Sequence, residues 1–227
     1  MQQITGHLWT FSGLRLGRVY LIEEGDALAL VDTGLPGTAR QAAAQLRAHG
    51  RDLRALTHIL ITHEHPDHIG GLAEIRAQCS AQVISAEAAR PVIQGEQELR
   101  PPRLLRGIMP SRFDPVPVDR IVGEGDVIDG LLGGLQVIAT PGHARGHLCY
   151  WAPEPGVLFL GDVLFHFAGI TEPLRALTPD PAENRRSIQR IAALDAQIAC
   201  FGHGPVLTRG AARRIRRFAA HFETGSA

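Results

Sequence analysis

The stretch Ile61-Thr62-His63-Glu64-His65-Pro66-Asp67-His68-Ile69-Gly70-Gly71 constrains this chain more than any other. Three imidazoles and two carboxylates crowd into six residues, directly after the apolar run His58-Ile59-Leu60-Ile61, which reads as a buried strand. Pro66 suits a helix interior poorly, so 63–68 is expected to be a loop at a strand end. His63-Glu64 suggests the zinc-protease helix H-E-x-x-H, but position 67 is Asp and that reading fails. The surviving spacing is H-x-H-x-D-H. Alternate residues of an extended loop point the same way, so His63 and His65 can share one metal while Asp67 and His68 turn toward a second. A solvated loop rich in His by chance is the bland alternative, and the rest of the chain argues against it by supplying further ligands.

The chain has 227 residues, enough for a sizeable core, and no linker or low-complexity segment divides it, so residues 1–227 are expected to form one domain. Hydrophobic residues make up 44% and charged residues 20%, the balance of a globular protein. Formal net charge is zero, so nothing favours nucleic acid or an anionic membrane as partner. Cys79, Cys149 and Cys200 are scattered without a C-x-x-C pair, which points to a reducing compartment. No secretory leader is legible and no apolar run approaches the roughly 18 residues of a membrane span, so the expected location is cytoplasmic.

Strands are expected at Val19–Ile22 and Leu28–Val31, joined by a turn at Glu24-Gly25-Asp26. A helix from about Thr38 to His49 closes at Gly50. After the His stretch come a helix over about 72–78, a strand at 81–85 and a short helix at about 86–93. Residues 95–117, rich in Pro and Arg, read equally as a lid or as a surface connection. Strands follow at Val127-Ile128, Leu135–Ala139, Leu148–Trp151, Val157–Leu160 and Gln197–Phe201, with helices at about 181–194 and 211–222. In the last helix Ile215, Phe218 and Phe222 share a face. Its arginines are read as a solvated face.

Five strand ends carry one chemical signature. Val31 leads to Asp32, Thr62 to the His stretch, Thr140-Pro141-Gly142 to His143, Gly161 to Asp162, and Gly202 to His203. A strand end fixes a side chain precisely, and an adjacent Gly permits close backbone approach.

This ordered set resembles the motifs of the metallo-β-lactamase-fold superfamily, from about Val19 to Val206. The resemblance implies an α+β fold, a four-layer αββα sandwich of two mixed sheets flanked by helices. It implies that His63, His65 and His143 hold one metal, that Asp67, His68 and His203 hold a second, and that Asp162 bridges them. Asp32 would orient a ligand through a hydrogen bond, and His147 would support the site from behind. His166 is a candidate substrate contact, His58 a core histidine, and His7, His49 and His221 surface residues. Two divalent ions are expected, Zn²⁺ first, with Fe or Mn as alternatives.

Such ions about 3.5–4 Å apart lower the pKa of a bridging water toward neutrality, and the hydroxide attacks an electrophilic carbonyl. Asp162 and Asp67 are the catalytic candidates, Asp67 as proton carrier to the leaving group. The expected activity is hydrolysis of an ester, thioester or lactone of a small molecule. A phosphodiesterase or nuclease, a mononuclear-iron oxygenase and a non-catalytic metal-binding sensor are the alternatives. β-Lactamases of this superfamily usually place Cys or Ser where Asp162 stands, which argues against that activity. Glyoxalase II and persulfide dioxygenases follow the bridging Asp with a G-C-G-R-like run, whereas this chain has Asp162-Val163-Leu164-Phe165-His166. The lactonases' Tyr between the bridging Asp and the last His has no counterpart. Assembly as a homodimer is left open.

Overall fold

The computed structural model describes residues 1–99 and 110–223. The chain opens with a hairpin, β1 (Gln2–Thr5) and β2 (Leu8–Thr10), that the sequence reading does not foresee. β3 (Tyr20–Glu24), β4 (Ala27–Val31), β5 (His58–Leu60), β6 (Gln82–Ser85) and β7 (Arg120–Ile121) complete a seven-stranded sheet in sequential order. Its first strands are antiparallel and β4 to β7 are parallel. The second sheet holds β8 (Val127–Ile128), β9 (Leu135–Ala139), β10 (Leu148–Ala152), β11 (Val157–Gly161) and β14 (Ile198–Phe201) in the order β14-β11-β10-β9-β8. A small hairpin, β12 (Phe165–His166) and β13 (Ile170–Thr171), intervenes before β14.

Alternation along the strands builds the layers. Leu28 and Leu30 of β4 face Ala42 and Leu46 of helix α1 (Thr38–Ala48), with α3 (Leu72–Arg76) and α4 (Arg90–Ile93) on the same core. Ala29 and Val31 face the other way, into a core shared with Val137, Tyr150 and Phe159 of the second sheet. Cys149, Trp151, Leu158 and Leu160 then face outward, against Ile188 of α5 (Pro181–Ala192) and Ile215 of α6 (Ala211–Glu223). Apolar residues on both faces of a strand require a cover on both sides. The result is the expected α+β sandwich, helices outside and two mixed sheets within.

Besides the unforeseen hairpin, one stated expectation is overturned. Residues 66–69 form a short helix, α2 (Pro66–Ile69), where a loop was expected. Pro66 occupies its first position, where the missing N–H has no helical partner to lose. The candidate lid, 95–117, includes residues outside the described ones. Its described ends are tied back by Leu99 N–H to Ser111 O at 2.9 Å and Val116 N–H to Ile93 O at 3.0 Å.

Candidate metal centre

β4 and β5 are parallel, as are β11 and β14, and β9 runs with β11 because β10 is antiparallel to both. The C-terminal ends of each sheet's site-bearing strands therefore lie at one edge. Asp32 follows β4, His63 follows β5, His143 follows β9, Asp162 follows β11 and His203 follows β14.

There the side chains gather into two neighbouring groups. His63, His65, His143 and Asp162 place one donor atom each within 4.8 Å of one another, and Asp67, His68 and His203 do the same. The His65 Nδ1 and His143 Nε2 atoms are 2.9 Å apart. The Asp162 carboxylate lies between the groups. Its Oδ2 is 3.4 Å from His143 Nε2 and 3.2 Å from His203 Nε2, and its Oδ1 is 3.4 Å from His68 Nε2. Asp67 Oδ2 is 3.1 Å from His203 Nε2. The helical turn at α2 separates the first pair of the motif from the second: His65 is still extended, and Asp67 and His68 swing away on the helix.

Hydrogen bonds behind the groups fix the ring tautomers. Asp32 accepts from Thr62 N–H at 2.8 Å, from the Thr62 hydroxyl at 2.7 Å and from His68 Nδ1 at 2.7 Å. The Thr62 hydroxyl, having donated to Asp32, accepts from His63 Nδ1 at 3.1 Å. Thr178 donates to Leu174 O and so accepts, more loosely, from His143 Nδ1 at 3.4 Å. In each ring Nδ1 is engaged outward, so Nε2 is the atom aimed inward and the one that would present a lone pair to a cation. Asp32 holds this position with φ of 60°, a left-handed backbone that Asp tolerates better than most residues.

His147 supports Asp162 through the backbone. Its Nε2 accepts from Asp162 N–H at 2.9 Å, and its Nδ1 pairs with Thr140 Oγ1 at 2.7 Å. Gly202 lies so close that a Cβ there would overlap Asp162 Oδ1. His166 sits behind His203: its Nδ1 is 2.7 Å from Pro205 O, its N–H donates to His203 O, and its ring packs on Phe201. His58 is half-buried beside Thr57, and His7, His49 and His221 are exposed.

Burial and mutual charge set the protonation. Burial pushes His63 well below the ordinary histidine range, with nearby His68 adding to it. His65 is lowered to about 3 by burial and by His143. For Asp162, burial favours the neutral acid, but His68 and hydrogen bonds from His143 and His203 outweigh it and hold the carboxyl well below its usual value. Burial opposes the charged form of His68 too, yet Asp162, Asp32 and Asp67 raise it well above normal.

Sequence reasoning did not single out Thr62, Thr140, Tyr20 or Tyr150 as parts of the centre. The tyrosines belong to buried strands, where a hydroxyl needs a partner, and that was the available signal. Tyr20 donates to Phe201 O and Tyr150 to Ile61 O, each to a strand end that leads to a ligand-type side chain.

The chain is similar to known proteins. Residues 12–203 match the family model described as the metallo-beta-lactamase superfamily. An uncharacterised Bacillus subtilis protein is 29% identical over 95% of this chain and 94% of its own length. A hydroxyacylglutathione hydrolase of Ectopseudomonas mendocina is 34% identical over 73% of this chain and 52% of its own, so the chain spans about half the length of that relative. A Thermus thermophilus protein solved as a metallo-beta-lactamase family member superposes with a TM-score of 0.74 at 25% identity, covering 98% of this chain and 81% of that one. With the family's model matched over most of its length and a His/Asp centre at the sheet edge, this chain belongs to the metallo-beta-lactamase superfamily.

Proposed function

We propose that this protein is a metal-dependent hydrolase that cleaves an ester, thioester or lactone bond of a small molecule at a centre for two divalent ions. The observation that carries the reading is the convergence of His63, His65, His143 and Asp162 on one point and of Asp67, His68 and His203 on a neighbouring one. The donor set fits such ions. His63 Nε2, His68 Nε2 and Asp162 Oδ1 are buried without a hydrogen-bond partner. Cations would satisfy these buried atoms together. Imidazoles with a few carboxylates suit Zn²⁺, with Fe or Mn as alternatives.

His63, His65 and His143 would hold one ion and Asp67, His68 and His203 the other, with Asp162 shared. When bound, the ions supply a water that ionises near neutral pH and positive charge for the developing oxyanion. The chain does the rest. Asp32 and Thr62 hold His63 and His68 in the tautomer that presents Nε2. His147 holds the Asp162 backbone, and Gly202, lacking a side chain, leaves the space its carboxylate occupies. Asp67, more open than Asp162 at 18% against 3% side-chain exposure, would take up the proton that the attacking water gives up and pass it to the leaving alkoxide or thiolate.

The reading is tested with protein reconstituted with Zn²⁺ or Mn²⁺ and a panel of aryl esters, thioesters, lactones and a bis-aryl phosphate. Acyl cleavage that disappears in Asp162→Ala supports it. Cleavage of the phosphate diester with every acyl substrate inert makes the protein a phosphodiesterase instead.

A further inference from the structure

Beside His203 lies a cavity of about 280 Å³. One wall is the segment between β2 and β3, including Phe11, Leu14, Leu16 and Arg18, and Phe167 also lines the space. The segment is held against the centre. Gly17 lies on the carbonyl of Asp67 so closely that no side chain fits there. Ser12 exchanges hydrogen bonds with the Gln45 amide at 3.0 and 2.9 Å, tying the base of the segment to α1.

Two properties of this cavity stand out chemically. Leu16 and Phe167 are 67% and 60% exposed, so large apolar side chains meet water at the cavity without a cover. Among the described residues the Arg18 guanidinium makes no ion pair or hydrogen bond; several other arginines are likewise unpaired, but Arg18 is the one guanidinium that lines this cavity. Exposed Leu16 and Phe167 in a lining of mixed polarity, with one unpaired guanidinium beside a hydrolytic centre, describe a receptor for a short hydrocarbon segment that ends in an anion.

We infer that this cavity receives the acyl group of the substrate, and that the acyl group carries a terminal carboxylate which Arg18 binds. The inference rests on the hydrolase reading and narrows its substrate class to acyl esters or thioesters of dicarboxylic acids. The methylenes lie along Leu16 and Phe167, the far carboxylate meets Arg18, and the scissile carbonyl reaches the donors beside His203. The reaction is ordinary hydrolysis: water adds to the carbonyl, the carbon–oxygen or carbon–sulfur bond breaks, and the products are a dicarboxylate and an alcohol or thiol.

The test compares succinyl and butyryl thioesters of N-acetylcysteamine, matched in chain length and differing in the terminal charge. The wild type is expected to prefer the succinyl compound, and Arg18→Gln to reduce that preference by about 10- to 100-fold, the range of a charge-assisted contact. Binding of the amide analogue of the succinyl thioester, which is not cleaved, is followed by calorimetry with and without metal. It should weaken in Arg18→Gln in both states. A preference that is absent in the wild type, or unchanged in Arg18→Gln, overturns the inference and leaves the hydrolase reading standing. If no thioester is cleaved by metal-loaded protein but the amide binds through Arg18, the hydrolase reading fails and the anion site stands. Equal binding of the amide to wild type and Arg18→Gln overturns the site on its own.

Discussion

The hydroxyl of Tyr20, in the first sheet, donates to the carbonyl oxygen of Phe201, in the second, over 2.6 Å. Tyr150 returns the connection, from the second sheet to Ile61 of the first, at 2.7 Å. Both hydroxyls are buried, and both grip backbone two residues ahead of a ligand-type histidine, His203 and His63. The backbone N–H of Leu148 adds a third link, to Thr62 O at 2.8 Å. The centre lies across two sheets, so its geometry depends on how the sheets are fastened.

Tyr20→Phe and Tyr150→Phe should each cost about 1–3 kcal/mol in unfolding free energy, because each leaves a buried carbonyl without its donor. Both should also weaken metal binding. Chelator competition and the visible spectrum of the Co²⁺-loaded protein check this. A loss of stability with an unchanged spectrum and metal affinity would show that the tyrosines only hold the fold.

Asp32 accepts from Thr62 and His68 at once, and Asn can keep its left-handed backbone while losing charge. Asp32→Asn should lower the affinity for the ion held by His68 by about 10- to 100-fold. Metal titration followed by elemental analysis measures it. Stoichiometry and affinity equal to wild type would contradict the role assigned to Asp32.

At Gly202 a methyl group would overlap Asp162 Oδ1. Gly202→Ala should therefore displace the Asp162 carboxylate and abolish turnover while circular dichroism stays native. An active Gly202→Ala protein would mean that Asp162 is free to move or is not needed.

Metal binding should release protons. Burial opposes a charged His203, but hydrogen bonds to Asp162 and Asp67 raise its pKa to about 9. A histidine ligand must be neutral, so below about pH 9 an incoming cation displaces that proton, and affinity should rise with pH up to this point. The sign for the metal-free fold is the opposite: stability from protonated His203 is complete below the ordinary histidine range and is lost as pH rises through about 9. Calorimetry in buffers of different ionisation enthalpy reads the protons released. Binding without release contradicts this picture.

Much of the centre was legible in the sequence because its parts are local. H-x-H-x-D-H lies in one stretch, and Asp32, His143, Asp162 and His203 each follow an apolar run next to a short polar turn. The strand alternation that sorts Leu28 and Leu30 from Ala29 and Val31 was equally visible, and it decides the layers. Part of what escaped depends on contacts distant in sequence. Tyr20 meets Phe201 across 181 positions, and nothing near either residue announces the other. The helix at Pro66–Ile69 was missed because Pro was weighed as a breaker and not as a first-turn residue. The hairpin Gln2–Thr10 was missed because its strands are short and its outer one is mostly polar.

The central claim is tested most directly by thioester turnover as a function of bound Zn²⁺ per chain, starting from protein stripped of metal. The stripped protein should show no turnover, activity should rise as metal is restored up to two ions per chain, and Asp162→Ala should show none at any loading. Full turnover in metal-free protein, or in metal-loaded Asp162→Ala, would contradict it.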